Sequence, residues 1–594
     1  MKSSFLILDI ETDSKDTNKA KLKYFGAYSY IDNKHYLLDH TRKDEIKELI
    51  KNHKYIVGFN NKNFDQPIIE NYLNEDVFKY KIVLDLFEVL TPSGNKEYNK
   101  FNKNRLTYMG YTLKNYKLKT IIETLELDNE NKGEIDYNIF KKDTWNKEEI
   151  KEIEKYLKQD IIITTKLFEW YFKQFQPLKH FLNNEDQRKL KFLKSSLPSL
   201  AYQIICNKSG MPVEWEENKP EDLKSYLGAH HINPRWDLVK GNIIEIDYSS
   251  AYPHAMMMCN LYSPVKEGWS GNGYFNIEGT YNNKERGKVE VAINDILLER
   301  LKAKKSGDKA KNNSYKLIIN AAYGLTGNYK FKSLYNPTTA GDCTSIVRTW
   351  MKKLAKHLEE NGFSCLYGFT DSIYVKIPEH STKEDLMLVV DYFIKEVKSN
   401  VPFPLDTFDM DIKNEIKFIW FITKNCYLFV TKDNEVKYMS TLLNKNTPKV
   451  VMKVFEEYIK PKIVSSLDVK FTKIELRKEI RKVLTDNLEF AAEEYEVNNH
   501  KDYKFKTSIQ YQISNRYGEG KHFLIPNIKH IGIGKEKRYC SIEEFKQNKL
   551  TINDIDLNKT MKWLEPFTKN NQTKLDKINI NEPKGTKNNE FRSA

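Results

Sequence analysis

The sequence predicts a multidomain chain of mixed α/β and α+β type, on three observations. At 594 residues it exceeds what one hydrophobic core organises and implies about three to five domains. Two apolar runs of strand character, Phe5-Leu6-Ile7-Leu8 and Ile243-Ile244-Glu245-Ile246, each end in an aspartate, Asp9 and Asp247. Segments with apolar residues three and four apart, the mark of amphipathic helices, recur over 146–161, 293–301 and 316–323.

Composition narrows the partner. Lys and Arg number 96 against 82 Asp and Glu, a net charge of +14, and nucleic acid is the most economical polyanion to match it. Hydrophobic content of 40% with 13% aromatics excludes wholesale disorder. The six cysteines (Cys206, Cys259, Cys343, Cys365, Cys426, Cys540) form no C-x-x-C pair, which speaks against a zinc site or disulfide framework and fits a reducing compartment. Asp9 interrupts the first apolar run too early for a signal peptide, and no run reaches the roughly 20 apolar residues of a membrane span. The expectation is a soluble, cytoplasmic protein, in host cytoplasm if viral, with no membrane partner.

In the first region, strand periodicity places Asp9 and Glu11 on one face and Ile10 on the other. The Gly/Asn-rich stretch Val57–Pro67 then delivers Asp65 at the head of an apolar run, with Pro67 in the first turn of a helix. A further helix begins at Asn146 with Glu149 as its capping-box partner. Its buried stripe is Ile150, Ile153, Leu157 and Ile161, and Tyr156 and Asp160 share another face. D-x-E, N-x-x-x-F-D (Asn60, Phe64, Asp65) and Y-x-x-x-D (Tyr156, Asp160) together resemble the three motifs of the 3′–5′ exonuclease joined to family B DNA polymerases. Lys117-Leu118-Lys119 resembles a linker of such nucleases. The chemistry accounts for the residue types: two divalent cations about 3.5–4 Å apart, clamping a phosphodiester, need several converging carboxylates. The resemblance implies that Asp9, Glu11, Asp65 and Asp160 bind metal, that Tyr156 orients the attacking water, and that Asn60 and Phe64 contact DNA.

The remaining motifs follow in order. Ile243–Asp247 reads as a strand, after which the chain turns sharply and Tyr252-Pro253 closes the turn. A helical pair comes next, broken at Ser306-Gly307-Asp308, with Ile293, Ile296, Leu297 and Leu301 as the apolar stripe of the first helix. Arg300 and Lys304 lie four apart on the first helix, and Lys316, Asn320 and Tyr323 form one stripe on the second. Antiparallel packing would make them a cationic cradle for a triphosphate. Residues 365–375 read as a hairpin with Phe369-Thr370-Asp371-Ser372 at its tip.

The runs at 247–253, 316–324 and 367–372 resemble the three active-site motifs of family B DNA polymerases, and Tyr226-Leu227-Gly228-Ala229 resembles their template-contacting element. The segment Lys424-Asn425-Cys426-Tyr427 resembles their primer-gripping K-K-x-Y. The resemblance implies a ribonuclease H-like exonuclease domain followed by a right-hand polymerase. The expected boundaries are 1–178 exonuclease, 179–245 connection and start of palm, 246–285 palm, 286–327 short helical fingers, 328–440 palm again, 441–578 a helical thumb and 579–594 a disordered tail. Asp247 and Asp371 would bind the catalytic metals. Ser250, Arg300, Lys304, Lys316, Asn320 and Tyr323 would bind the nucleotide, and Tyr252 would exclude a 2′-hydroxyl. Tyr226, Gly228, Lys424 and Tyr427 would contact DNA. Two Mg²⁺ per site are implied, with Mn²⁺ as a substitute. The implied partners are primer-template DNA and dNTPs, with a helicase, primase or single-strand-binding protein compatible beside a monomeric enzyme.

Four positions depart from the family pattern. Ala251 stands for a leucine, Ala321 for a serine, Asn425 for the second lysine and Phe369 for the first aspartate of Asp-Thr-Asp. On a hairpin strand Phe369 and Asp371 would share a face. Phe369 keeps a rival reading open, a nuclease or DNA-binding protein with a decayed polymerase site. A protein-primed polymerase is a third reading. The spacings from Pro253 to Lys316 and from Gly324 to Tyr367 leave no room for the two insertions of that class, and the nuclease motifs begin at residue 9, without the N-terminal domain of larger relatives. The pattern therefore fits a compact phage or mobile-element enzyme that extends an ordinary primer.

Overall fold

In the computed structural model the described residues are 4–568, apart from 92–104, 112, 114–115, 128–134, 222–224, 235–237, 263, 424–425, 440, 445–446, 498–508, 519, 527 and 529–538. Lys424, Asn425 and the expected tail lie outside them.

The first unit is a five-stranded sheet ordered β3-β2-β1-β4-β5. β1 (Phe5–Thr12), β2 (Leu22–Ser29) and β3 (Lys34–Asp39) are antiparallel neighbours. β4 (Tyr55–Gly58) and β5 (Ile82–Asp85) run parallel to β1 and are joined by a crossover that carries helix α1 (Asp65–Leu73). Alternation along β1 sends Leu6, Leu8 and Ile10 into a core with Ile56, Ile68 and Ile69, while Phe5 and Ile7 face Phe168 of helix α2 (Lys147–Phe175). Asp9 and Glu11 share the parity of Phe5 and Ile7, so they too face α2.

Helix α2 (Lys147–Phe175) starts on the expected capping box: the Asn146 side chain accepts from the Glu148 and Glu149 N–H groups, and Glu149 accepts from the Asn146 N–H. Its last turns, with Phe168, Tyr171, Phe172 and Phe175, enter one continuous core with Ile293, Ile296, Tyr315 and Ile318 of a distant helical pair.

That pair is α4 (Lys288–Lys305) and α5 (Lys309–Thr326), preceded by α3 (Ala251–Cys259) and followed by α6 (Pro337–Glu360). The break falls at Ser306-Gly307-Asp308 as expected: Gly307 takes φ +74° and the Asp308 side chain caps α5 through the Lys311 N–H. One expectation needs correction. Tyr252 and Pro253 do not close a turn; they lie in the first turn of α3, where a proline leaves no intrahelical bond unmade. Ser250, at φ +62°, turns the chain out of the strand into that helix.

The central sheet has seven antiparallel strands ordered β12-β11-β10-β7-β9-β8-β6. They are β6 (His231–Ile232), β7 (Leu238–Tyr248), β8 (Ser364–Phe369), β9 (Ser372–Lys376), β10 (Met410–Thr423), β11 (Cys426–Thr431) and β12 (Val436–Tyr438). Along β7, Ile244 and Ile246 pack under the sheet with Trp350 of α6. Ile243, Glu245 and Asp247 take the opposite face, where Leu366, Tyr367, Tyr374 and Tyr427 form an aromatic layer.

The last region is not wholly helical as expected. Beside helices such as Lys473–Asp486 it holds a three-stranded sheet of β13 (Glu493–Val497), β14 (Gly520–Pro526) and β15 (Tyr539–Ser541). Period-two alternation explains it, because Leu524 and Ile525 serve two different cores. No helix among the described residues is long and apolar enough to cross a membrane.

Two candidate carboxylate active sites

In the first unit, Asp9 and Glu11 from β1 and Asp160 from α2 offer carboxylate oxygens that all lie within 4.8 Å of one another. Glu11 and Asp160 are buried and Asp9 half-buried. Such an all-oxygen donor set fits a hard divalent cation. Asp65, the fourth carboxylate expected to converge, lies against Asp9 rather than within the trio. It is buried at the start of α1, accepts the Ile10 N–H at 3.1 Å and contacts Asp9, and burial pushes its carboxyl up to about 7. Its reach to the β1 backbone makes it a brace behind the trio. Tyr156, one turn before Asp160, places its hydroxyl 3.1 Å from that of Tyr137; burial and the neighbouring Asp160 raise its pKa, so the proton stays on.

The loop that delivers Asp65 is organised by a residue the motifs did not mark. Asp85, at the end of β5, accepts from the Asn60 N–H (2.8 Å), the Lys62 N–H (3.1 Å) and the Phe87 N–H (2.9 Å). It is 1% exposed, and burial raises its pKa against those hydrogen bonds. Asn60 itself takes φ +64°, a conformation asparagine tolerates better than most residues. Phe64 packs partly into the sheet core. An apolar run ending in aspartate, Ile82-Val83-Leu84-Asp85, was the signal available for Asp85.

The second site lies at the end of β7. Ser372 of β9 pairs directly opposite Asp247 and donates its hydroxyl to Asp247 Oδ1. Asp371 occupies the two-residue turn between β8 and β9, next to Thr370 at φ +59°, and its carbonyl accepts the Tyr248 N–H at 3.0 Å. Phe369 and Asp371 therefore do not share a strand face, which corrects the expectation: β8 ends at Phe369 and alternation stops there. Phe369 packs edge-on against His231 (centroids 4.6 Å apart) and continues the aromatic layer towards Tyr367. Burial, then the neighbouring Asp247, push the Asp371 carboxyl up to about 6, while Lys413 and Lys316 pull it down. Two mutually repelling carboxylates are a donor set that a divalent cation would relieve.

The helical pair faces this end of the strand. Arg300 Nη1 donates to Ser250 Oγ at 3.1 Å and Arg300 Nε to Asn312 Oδ1 at 3.3 Å, tying α4 to both the strand end and α5. Lys316 is exposed yet close enough for its charge to act on Asp371; Lys304 and Asn320 are exposed on the same helices. The Tyr252 ring stacks on Tyr323 (centroids 4.7 Å, 24°), and Tyr323 is hydrogen-bonded to Tyr226. Arg348 of α6 donates to the Gly228 carbonyl at 2.8 Å, and the Thr344 hydroxyl to the Leu227 carbonyl at 2.7 Å, which leaves the Leu227 side chain 73% exposed. Tyr427, expected to contact primer, is 6% exposed: its parity on β11 turns it into the aromatic layer, where its hydroxyl lies 3.1 Å from that of Tyr374.

Three further residues surround Asp247. Asp411 of β10 pairs directly opposite it and is exposed. Glu245, two residues earlier on the same face, is buried and accepts from the Tyr374 hydroxyl (2.9 Å) and from Asn414 Nδ2. Lys413 Nζ lies 3.5 Å from Glu245 Oε1 and 3.7 Å from Asp247 Oδ1. Strand period could have found Glu245; the other two are brought in by the pairing of β10, which no motif marks.

Two active-site-like carboxylate clusters on a ribonuclease H-type sheet and an antiparallel palm define a nucleic-acid enzyme class, and comparison with known proteins identifies it. Residues 204–519 match the model of DNA polymerase family B, and residues 6–172 match that of the RNase_H superfamily. The chain belongs to DNA polymerase family B. It is 28% identical over 257 residues to DNA polymerase 1 of Saccharolobus solfataricus (39% of this chain, 27% of that one) and 30% identical over 304 residues to DNA polymerase 1 of Sulfurisphaera ohwakuensis (47% and 32%). To the DNA polymerase of Bombyx mori nuclear polyhedrosis virus it is 26% identical over 274 residues (41% and 26%). The matched stretches thus span a third or less of each relative's length. The structure of the family B DNA polymerase from the hyperthermophilic archaeon Pyrobaculum calidifontis has the same fold, with TM-score 0.59 at 14% identity over 95% of this chain and 77% of that one.

Proposed function

We propose that the chain is a template-directed, primer-extending DNA-dependent DNA polymerase with its own 3′–5′ proofreading exonuclease, acting as a monomer in phage or mobile-element DNA replication. The observation that carries the reading is the Arg300–Ser250 hydrogen bond, which ties a guanidinium of α4 to the residue three beyond Asp247, with Asp371 in the turn bonded to Tyr248. A triphosphate bound there would meet Arg300, Lys304 and Lys316, with Asn320 and Tyr323 on the same face of α5. Stacked on Tyr323, the Tyr252 ring would lie under the sugar and exclude a 2′-hydroxyl. Asp247 and Asp371 would hold two Mg²⁺ ions, or Mn²⁺ in their place. When bound, these cations would supply activation of the primer hydroxyl and neutralisation of triphosphate charge. The Tyr226–Gly228 segment, fixed to α6 by Arg348 and Thr344, would support the template.

In the nuclease, Asp9, Glu11 and Asp160 would ligate metal, with Asp65 bracing Asp9 and the protonated Tyr156 hydroxyl orienting water. The lysine-dense thumb would track duplex phosphates without reading sequence. We read the boundaries near residues 178, 245, 285, 327 and 440 as those of exonuclease, connection, palm, fingers, palm and thumb. The host cytoplasm, with a helicase, primase or single-strand-binding protein, is the matching setting.

A primer-extension assay tests both sites at once: extension with dNTPs, shortening of the 3′ end without them. Phe369, where the family carries an aspartate, favours one rival, a nuclease with a decayed polymerase site. Shortening without any extension at any Mg²⁺ or Mn²⁺ concentration would establish it.

A further inference from the structure

Lys413 stands where the strand pairing slips. β10 pairs with β7 at Asp411 opposite Asp247 and Ile412 opposite Ile246, then resumes at Asn414 opposite Glu245. Lys413 is thus the extra residue of a β-bulge, a device that re-aims one side chain. Its ammonium comes to 3.5 Å from Glu245 Oε1 and 3.7 Å from Asp247 Oδ1, bridging two carboxylates of unequal freedom. Glu245, with its side chain 4% exposed, is fixed by the Tyr374 hydroxyl and Asn414 Nδ2. Asp247, with its side chain 29% exposed, also accepts from Ser372. Other charges at the site among the described residues include Asp411, directly across from Asp247, Lys316, acting on Asp371 from α5, and Arg300, bonded to Ser250. Where the family motif adds an anion, Phe369 adds none, so the cationic share of this site is larger than the motif alone provides.

We propose that Lys413 is a built-in counter-ion that competes with divalent metal for Asp247, holding that carboxylate in the resting protein and withdrawing onto buried Glu245 when metal binds. Lys413 is a positioning residue in this scheme, and Glu245 is the acceptor that makes its withdrawal possible. The proposal rests on the reading of Asp247 and Asp371 as metal-binding carboxylates. Its consequence is a metal threshold set inside the palm sheet: occupancy depends on a lysine that touches neither nucleotide nor primer.

The test is binding of Mn²⁺ alone, followed by electron paramagnetic resonance, in the full chain carrying Asp9→Asn and Glu11→Gln to weaken the nuclease site. Removing a half-exposed unit charge about 4 Å from the ligand should tighten Mn²⁺ binding by about tenfold in Lys413→Gln, while Lys413→Arg stays near the starting affinity. Glu245→Gln should loosen binding several-fold, and that loosening should vanish in the Lys413→Gln/Glu245→Gln double variant, because the acceptor matters only while the lysine is present. Unchanged affinity in folded Lys413→Gln overturns the proposal. So does a Glu245→Gln loosening of equal size in both backgrounds, the signature of a plain field effect. Thermal unfolding checks the fold, and if Glu245→Gln does not fold the Lys413 pair still decides. Mn²⁺ binding that is absent, or indifferent to Asp371→Asn, would overturn the polymerase reading as well; binding that needs Asp371 but ignores Lys413 would overturn the counter-ion alone.

Discussion

The nuclease site and the palm site both hang on the end of a buried strand, yet they are assembled by opposite means. In the nuclease, Asp9 and Glu11 come from one strand face and Asp160 from a long capped helix, and their oxygens converge within 4.8 Å. In the palm, Asp247 comes from a strand and Asp371 from a two-residue turn, and a lysine reaches in between the strand's own carboxylates. One site concentrates negative charge on a strand and a helix, which a bound cation would relieve. The other brings part of its compensation with it, in Lys413, and places one carboxylate in a turn. On the proposed function, equal chemistry would not require equal preorganisation: the palm would have nucleotide and primer to complete it, whereas the nuclease would receive only a frayed end.

The sharpest way to break this comparison is reciprocal removal. Asp371→Ala should lower primer extension by about a thousandfold or more while 3′ shortening persists, and Asp9→Ala/Glu11→Ala should do the reverse, since each change removes a proposed ligand from one two-metal site only. Gel-resolved extension and degradation of a labelled primer read both. Loss of both activities by a folded variant would mean that the sites are not independent.

Next in size is Asp85→Ala, which leaves the Asn60, Lys62 and Phe87 N–H groups without their acceptor and should cost about 2–3 kcal/mol of stability in thermal unfolding. Because this loop delivers Asp65, shortening should fall with little change in extension. Tyr252→Val, by opening the space under the sugar, should raise ribonucleotide incorporation by roughly tenfold or more, equivalent to about 1.4 kcal/mol, in single-nucleotide kinetics. Unchanged discrimination would make Tyr252 only the stacking partner of Tyr323. The smallest effect is expected from Phe369→Asp: a few-fold shift in the Mg²⁺ midpoint of extension. If extension instead appears only in that variant, the wild-type palm is a relic and the comparison collapses.

Much of the nuclease was legible because its signals are local. Strand parity fixed the faces of Asp9 and Glu11, and the Asn146–Glu149 box fixed where α2 begins and hence where Tyr156 and Asp160 point. The helical pair was legible for the same reason, from its apolar stripes and the Gly307 break. What stayed hidden depends on pairing between distant segments. Asp411 and Lys413 reach Asp247 only because β10 lies beside β7 and slips by one residue. Asp371 was assigned to a strand because alternation cannot show where a hairpin gives way to its turn. Tyr427 carried a primer-gripping motif but lies inside a layer formed by four strands. The sheet in the last region was missed where lysine-rich helical segments dominate the composition around it.

Helix α2 carries a consequence for anyone dissecting the molecule. Its 29 residues make a rod of roughly 43 Å, with Asp160 midway at one site and its far end in the core shared with α5. Scissors placed after the nuclease would strip that packing from α5, so a polymerase fragment cut free there should aggregate or melt early. On the proposed function, point mutation should silence either activity alone, and excision should not.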